Sequence, residues 1–229
     1  MAVSHQLLPI FPLPLVLFPG AALPLHIFEP RYRELLADCR RGDGRFGIVL
    51  ASGGPERELP HGTVGCVAEV QEVHPLPDGR SNILVEGVER FAFEEFVDSP
   101  ASYFVGEVSA YEDEPVEDAA ELRAMDAEVR TLFARVARAA RAIADDSDPL
   151  PSLPPDPALL SFRVASLVDL DNEARQRLLV SRSPADRLRE IDELLSRAAE
   201  GIEERAAVHV RARSNGHGPG VPPAAEEDA

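Results

Sequence analysis

The chain has no lysine. All 23 of its basic residues are arginine, among 229 residues carrying 40 acids. A GC-rich genome accounts for such a bias, and the chemical consequence holds whatever its cause. A phosphate-binding Walker A loop needs G-x-x-x-x-G-K-[ST], so this chain contains none. Schiff-base chemistry and a Ser–Lys dyad are excluded as well, because arginine stays protonated and does not act as a base. Tryptophan is also absent, and there are only two cysteines, Cys39 and Cys66, with no CxxC pair. These are expected to be free, buried thiols of a reducing cytoplasm, and zinc would need more ligands at metal spacing. No G-x-S-x-G and no H-E-x-x-H occurs. The net charge of −17 opposes binding to nucleic-acid phosphates and to anionic membrane surfaces.

Charge itself is missing from the stretch Leu7–Phe28, LLPIFPLPLVLFPGAALPLHIF. A run of about 20 uncharged residues is long enough to cross a bilayer as a helix. Prolines at 9, 12, 14, 19 and 24 rule that out, each costing a helix interior roughly 3 kcal/mol. A secretory signal fits no better, with no basic segment before Leu7 and apolar chain continuing past Ala21-Ala22. Extended chain remains. The expectation is two short strands, 8–13 and 22–28, turning at Phe18-Pro19-Gly20 and buried on both faces.

Pro30 suits the first turn of a helix predicted over 30–40, ended by Gly42 in the left-handed conformation. A strand at 46–50 and a polar loop at 52–62 follow, then strands at 63–74, 83–88, 90–97 and 103–111. A bulge is expected near Gln71-Glu72, and Pro77-Asp78-Gly79-Arg80 makes a hairpin turn. Strands so short and regularly spaced suggest a small closed or nearly closed barrel. Past Glu112-Asp113-Glu114-Pro115 the apolar period becomes helical. Leu122, Met125, Val129, Leu132, Val136, Ala139 and Ile143 form one stripe. Asp156-Pro157 and Ser183-Pro184 read as an N-cap followed by proline, opening helices over 157–167 and 184–205, and Asp171 caps a short helix through Val180. Leu188, Ile191, Leu195, Ala198 and Ile202 repeat the stripe. The fold class is therefore α+β: a β-barrel with one helix over 1–114, a helical bundle over 115–211, and a disordered acidic tail over 212–229.

Candidate chemistry is sparse. His26 beside Glu29 is an imaginable general-base pair, but a single strand histidine is far more often structural. Asp169, Asp171 and Glu173 begin like a calcium loop. The required glycine is Ala174 and the twelfth position is Val180, so that reading fails. The helical stripes are either mutual packing surfaces or seams for assembly with a partner.

Several segments together resemble a known family. Leu8-Pro9-Ile10-Phe11-Pro12-Leu13 and Leu23-Pro24-Leu25-His26-Ile27-Phe28-Glu29-Pro30-Arg31-Tyr32 resemble the start of the N-terminal substrate-binding domain of the Lon ATP-dependent protease. Gly62–Val70, the Leu76–Arg80 hairpin and Val85-Glu86-Gly87-Val88-Glu89-Arg90-Phe91 continue in the same order. Phe162–Leu170 and Leu178–Leu195 resemble that domain's helical half, so the likeness runs over about 7–205. It implies a pseudouridine-synthase-and-archaeosine-transglycosylase-like (PUA-like) barrel followed by a helical bundle. It further implies a bacterial, cytoplasmic, stand-alone polypeptide-binding module of protein quality control, without ATPase or peptidase parts, metal or cofactor. Unfolded or tagged proteins are its expected partners, and a protease is a further one. The surface expected to bind peptide is Phe28, Glu29, Arg31 and Tyr32, where the second strand meets the first helix; the structural alternative is that Phe28 and Tyr32 are core and Glu29 and Arg31 a helix-start ion pair. An apolar groove beside the opening stretch would also allow extended peptide to bind by edge pairing. The alternatives are an assembly module pairing through its helical stripes and a hydrolase using His26.

Overall fold

A computed structural model describes residues 5–51, 53 and 58–215. The expected tail at 216–229 and most of the loop at 52–57 lie outside these residues. Six strands and five helices are α+β: β1 His5–Leu13, β2 Ala22–Ile27, α1 Pro30–Cys39, β3 Arg45–Leu50, β4 Val64–Pro75, β5 Ser81–Val97, β6 Phe104–Ala110, then α2 Ala119–Ala144, α3 Pro157–Leu167, α4 Asn172–Val180 and α5 Pro184–Asn215.

The sheet runs β2-β5-β4-β3-β1-β6, and β6 also pairs with β5. The ring β5-β4-β3-β1-β6 is thus closed, which leaves β2 as an outer strand bonded to β5. Closure is possible because β5 is 17 residues long. Its first part pairs with β2, from Ile27↔Ser81 to Ala22↔Glu86, and its second with β6, from Phe91↔Ala110 to Val97↔Val105. The expected break at Val88-Glu89 does not occur, since β4 keeps pairing across it, with Cys66 opposite Arg90 and Ala68 opposite Gly87. The register shift between these pairs sets a step of three residues along β5 against two along β4, a bulge at Val88-Glu89; the other shift, at Val70/Glu72, is the predicted bulge. Leu8, Ile10, Val49, Val67, Phe91, Phe93 and Val108 fill the barrel.

The opening stretch departs from expectation in one respect. β1 buries Leu8, Ile10 and Phe11, but β2 alternates, with Ala22, Pro24 and His26 exposed and Ile27 buried. Nothing covers the β2 face that carries Ala22, Pro24 and His26, so an apolar composition does not bury both faces of the strand. Gly42 is likewise not the left-handed residue after α1. Gly44 takes that role at φ 79°, and its N–H donates to the Cys39 carbonyl at 3.0 Å.

The helices begin where their caps predict. Asp156 accepts from Ala158 N–H, Asp171 from Ala174 N–H and Ser183 from Asp186 N–H. α5 runs past the expected end at Arg205, into the first residues of the stretch read as tail. Contacts cluster into two compact units. One is Met1–Asp126 with Leu153–Arg189, in which α3 and α4 accompany the barrel. Gln176 Nε2 donates to Val64 O at 2.9 Å, and Asn172 Nδ2 to Pro14 O at 2.9 Å. The other unit is Ala127–Ser152 with Glu190–Ala229, where Arg135 grips Glu203 at 3.0 Å and Val129, Phe133, Ile191 and Leu195 are buried. Much of each helical stripe is thereby covered by the chain itself.

Candidate functional site

β2 hands over to α1 through Phe28 and Glu29. Glu29 is the N-cap residue of α1, but its side chain makes no capping bond, and Pro30 opens the helix. The Glu29 carboxylate turns to Arg31, receiving Nε at 3.0 Å and Nη2 at 2.9 Å. Arg31 in turn lies over the Tyr32 ring, 4.5 Å from its centroid. Tyr32 is 3% exposed and stacks on Phe11 of β1 at 3.8 Å. With Leu35, Leu36 and Cys39 it forms the helix face that covers the barrel, at a spacing of three and four residues. Phe28 goes the other way. It is 58% exposed, with its ring 5.9 Å from that of His26.

Between these elements lies a groove of about 340 Å³. Phe11 and Leu13 of β1 with the following Pro14 form one wall; Leu25 and Ile27 of β2 with the following Phe28 form the other. Glu29 and Tyr32 also line it. Its size is at the lower end of small-ligand clefts, and its lining is mainly apolar. Three of the four expected residues, Phe28, Glu29 and Tyr32, thus share one concavity. Arg31 is absent from the lining and braces Glu29 and Tyr32 from behind. The β1 wall adds Phe11, Leu13 and Pro14 to the four expected residues. It comes from the other half of the same uncharged stretch, whose strand ends at Leu13, just before Pro14.

His26 does not pair with Glu29. Its Nδ1 lies 2.7 Å from Asn82 Oδ1 on β5, directly across the ladder. The exposed ring is thereby tied to β5 across the sheet, and the His26–Glu29 pair read from the sequence is not formed. The two thiols are buried. Burial, reinforced by Asp43 and Asp38, pushes Cys39 up to about 12, and burial pushes Cys66 up as well, which makes both poor nucleophiles. Among the described residues no helix is long and apolar enough to cross a membrane.

Two other hollows flank the barrel unit. One, about 580 Å³, is formed by Leu50 with Gln176, Val180 and neighbours on α4. The other, about 320 Å³, has acidic walls from Glu114, Glu117, Asp118 and Asp186. Neither presents an aromatic side chain.

Known proteins agree with this architecture. A crystal structure of a Lon N-terminal domain protein from Xanthomonas campestris superposes with a TM-score of 0.58 at 29% identity, covering 81% of this chain and 96% of that one. The N-terminal domain of Mycobacterium avium complex Lon protease superposes with a TM-score of 0.63 at 22% identity, over 83% and 98%, and supports the fold. Among curated sequences, Lon protease 2 of Myxococcus xanthus is 28% identical over 85% of this chain, and Lon protease of Geobacter metallireducens 25% over 91%. The chain spans about a quarter of their length, 24% and 26% respectively. The family model of the ATP-dependent protease La (LON) substrate-binding domain matches residues 7–197. The chain belongs to the ATP-dependent protease La (LON) substrate-binding domain family.

Proposed function

We propose that this chain is a non-catalytic polypeptide-binding module that engages unfolded or tagged proteins, alone or beside a protease, at the groove where β2 meets α1. The observation that carries the reading is Phe28. A large aromatic side chain 58% exposed at the mouth of an apolar groove is costly to leave in water and well suited to covering by a partner. Family membership supports polypeptide as the ligand class. The absence of lysine deprives this chain of the phosphate loop and the Ser–Lys dyad that an ATP-driven protease needs.

The roles divide by burial. Phe28 and the apolar walls supply contact, Glu29 supplies charge at the rim, and Arg31 and Tyr32 hold the helix start in place. Titration with an unfolded model polypeptide, followed by backbone chemical shifts, should give saturable changes confined to β2, the end of β1 and the start of α1. Phe28→Ser should weaken binding, and Arg31→Ala should weaken it less. A flat titration at high concentration would sink the reading. A casein or ester turnover assay, with and without ATP, should show no turnover. Activity that survives repurification and vanishes in His26→Ala would favour the hydrolase alternative.

A further inference from the structure

The ladder around β2 determines which backbone groups its open edge presents. Gly20 at φ 73° donates its N–H to Gly87 O at 2.8 Å, and Gly87 N–H donates to Ala21 O at 2.9 Å. Ala21 therefore bonds inward, toward β5. The other side of β5 gives the same phase independently: Leu76 N–H donates to Arg80 O at 2.8 Å, so the in-register pairs His74↔Asn82 and Glu72↔Leu84 are the bonded ones. Residues 82 and 84 thus bond to β4, and 81, 83 and 85 to β2. On β2, Leu23, Leu25 and Ile27 bond inward, while Ala22, Pro24 and His26 turn their backbone groups outward. Pro24 has no N–H to offer. The outward amides of Ala22 and His26 stand roughly 13 Å apart, at about 3.3 Å per residue, with a gap midway. This is the pattern that blunts an edge against strand addition.

The groove beside this edge is apolar, and among the described residues Glu29 contributes the one ionised side chain of its lining. Its side chain is 39% exposed with the carboxylate paired to Arg31, in a chain of net charge −17.

We propose that the groove takes the apolar side chains of a basic-flanked polypeptide segment by insertion, and does not receive that segment as an added strand on β2. This rests on the polypeptide-binding reading above. Affinity comes from apolar side chains reaching between Phe28 and the end of β1, with cationic flanks drawn by the net negative charge of the chain. Backbone hydrogen bonding to β2 contributes little, so proline-containing segments are accepted.

The test uses the full chain and fluorescence anisotropy with labelled peptides. The parent carries a central Leu-Phe pair between arginines. Two derivatives are N-methylated at alternate residues, one for each phase of a possible ladder, and a third exchanges the arginines for glutamates. Both N-methylated peptides should bind within about threefold of the parent, since no ladder bonds are lost. The acid-flanked peptide should bind about tenfold more weakly at low salt, and the gap should narrow at high salt. A loss of about tenfold or more in either N-methylated peptide, the effect of two or so forfeited backbone bonds, overturns side-chain insertion, and equal binding of the acid-flanked peptide overturns the charge preference. In both cases continued sensitivity to Phe28→Ser leaves the groove itself as the site. No saturable binding of the parent, or parent binding indifferent to Phe28→Ser, overturns the polypeptide-binding reading at this groove and this inference with it.

Discussion

Arg187 of α5 is fully buried and forks onto Asp113, with Nη1 2.6 Å from Oδ1 and Nη2 2.7 Å from Oδ2. A second buried guanidinium, Arg90 of β5, shares that carboxylate at 2.5 Å and donates to the carbonyls of Leu179 and Ser181. Phe162 of α3 lies under both, 4.2 Å from Arg187 and 5.2 Å from Arg90. Burial pushes the Arg90 guanidinium below its usual range, and Asp113 acts in the opposite sense to keep it charged. One carboxylate thus ties the barrel to the segment after β6 and to the start of α5.

Removing it leaves two buried cations facing each other. Asp113→Ala should destabilise the protein by about 3–5 kcal/mol, as expected for a buried pair broken from one side. Chemical denaturation checks this. Combining Asp113→Ala with Arg187→Met should cost less than the sum of the two single changes, because the charge left stranded by the first is removed by the second.

Gly87 makes a second point of close approach. A Cβ there would run into the carbonyl oxygen of Phe18, which is held in place by accepting from Ala21 N–H at 3.1 Å. Gly87→Ala should therefore push the opening stretch off β5 and destabilise by about 1–3 kcal/mol. Since Gly20 and Ala21 bond to the same residue, amide exchange should accelerate along β2 before it does in β3 or β6.

Phe28 and Tyr32 are four residues apart and should respond oppositely to truncation. Tyr32→Ala removes a ring stacked on Phe11 in the core and should cost about 3–5 kcal/mol of stability. Phe28→Ser removes an exposed ring and should shift stability by no more than about 0.5 kcal/mol. Thermal melts of the two variants, set beside their peptide affinities, separate a structural residue from a contact residue. Equal losses of stability would mean that Phe28 belongs to the core.

The thiols give a pH prediction. Cys39 rises from an ordinary 9.0 to about 12. Cys66 is also raised, and Tyr103 is raised by burial and by its hydrogen bond to Asp38. In the unfolded chain these groups lose their protons at lower pH than in the folded one. Their contribution to stability is thus intact below pH 9.0 and is lost as pH climbs toward 12. At neutral pH a thiol reagent should leave both cysteines unmodified in the folded protein and label two per chain in denaturant. Rapid native labelling of Cys39 would contradict its burial.

Much of this architecture is legible in the residues. Asp156-Pro157, Asp171 and Ser183-Pro184 mark helix starts because an N-cap acts through bonds within one turn. The Val70/Glu72 bulge shows in the broken alternation of β4, and the Asp78-Gly79 turn in its dipeptide. The misses that shape the fold are non-local. β5 reads as two strands because Gly87 and the charged pair Glu89-Arg90 interrupt its apolar pattern, and only its partner β4 shows that the ladder continues. β2 reads as buried on both faces because its side chains are apolar. Arg90, Asp113 and Arg187 look like ordinary surface charges, and nothing in their spacing announces that they meet. For the candidate groove, the junction of β2 and α1 is visible in the sequence, but the division between an exposed Phe28 and a buried Tyr32 is not.

By itself the sequence determined the kinds of element and their order, the starts of the helices, and the chemistry that a chain without lysine does not perform. Those follow from short-range causes: torsional preference, capping, apolar period and the identity of side-chain groups. The tertiary structure decided that β5 closes the ring while β2 stays outside it. It also decided that Tyr32 is core while Phe28 meets solvent, and that Pro24 sits at an outward position of an open edge. These depend on which surfaces face each other after closure, and that is set by the register between segments far apart in the chain.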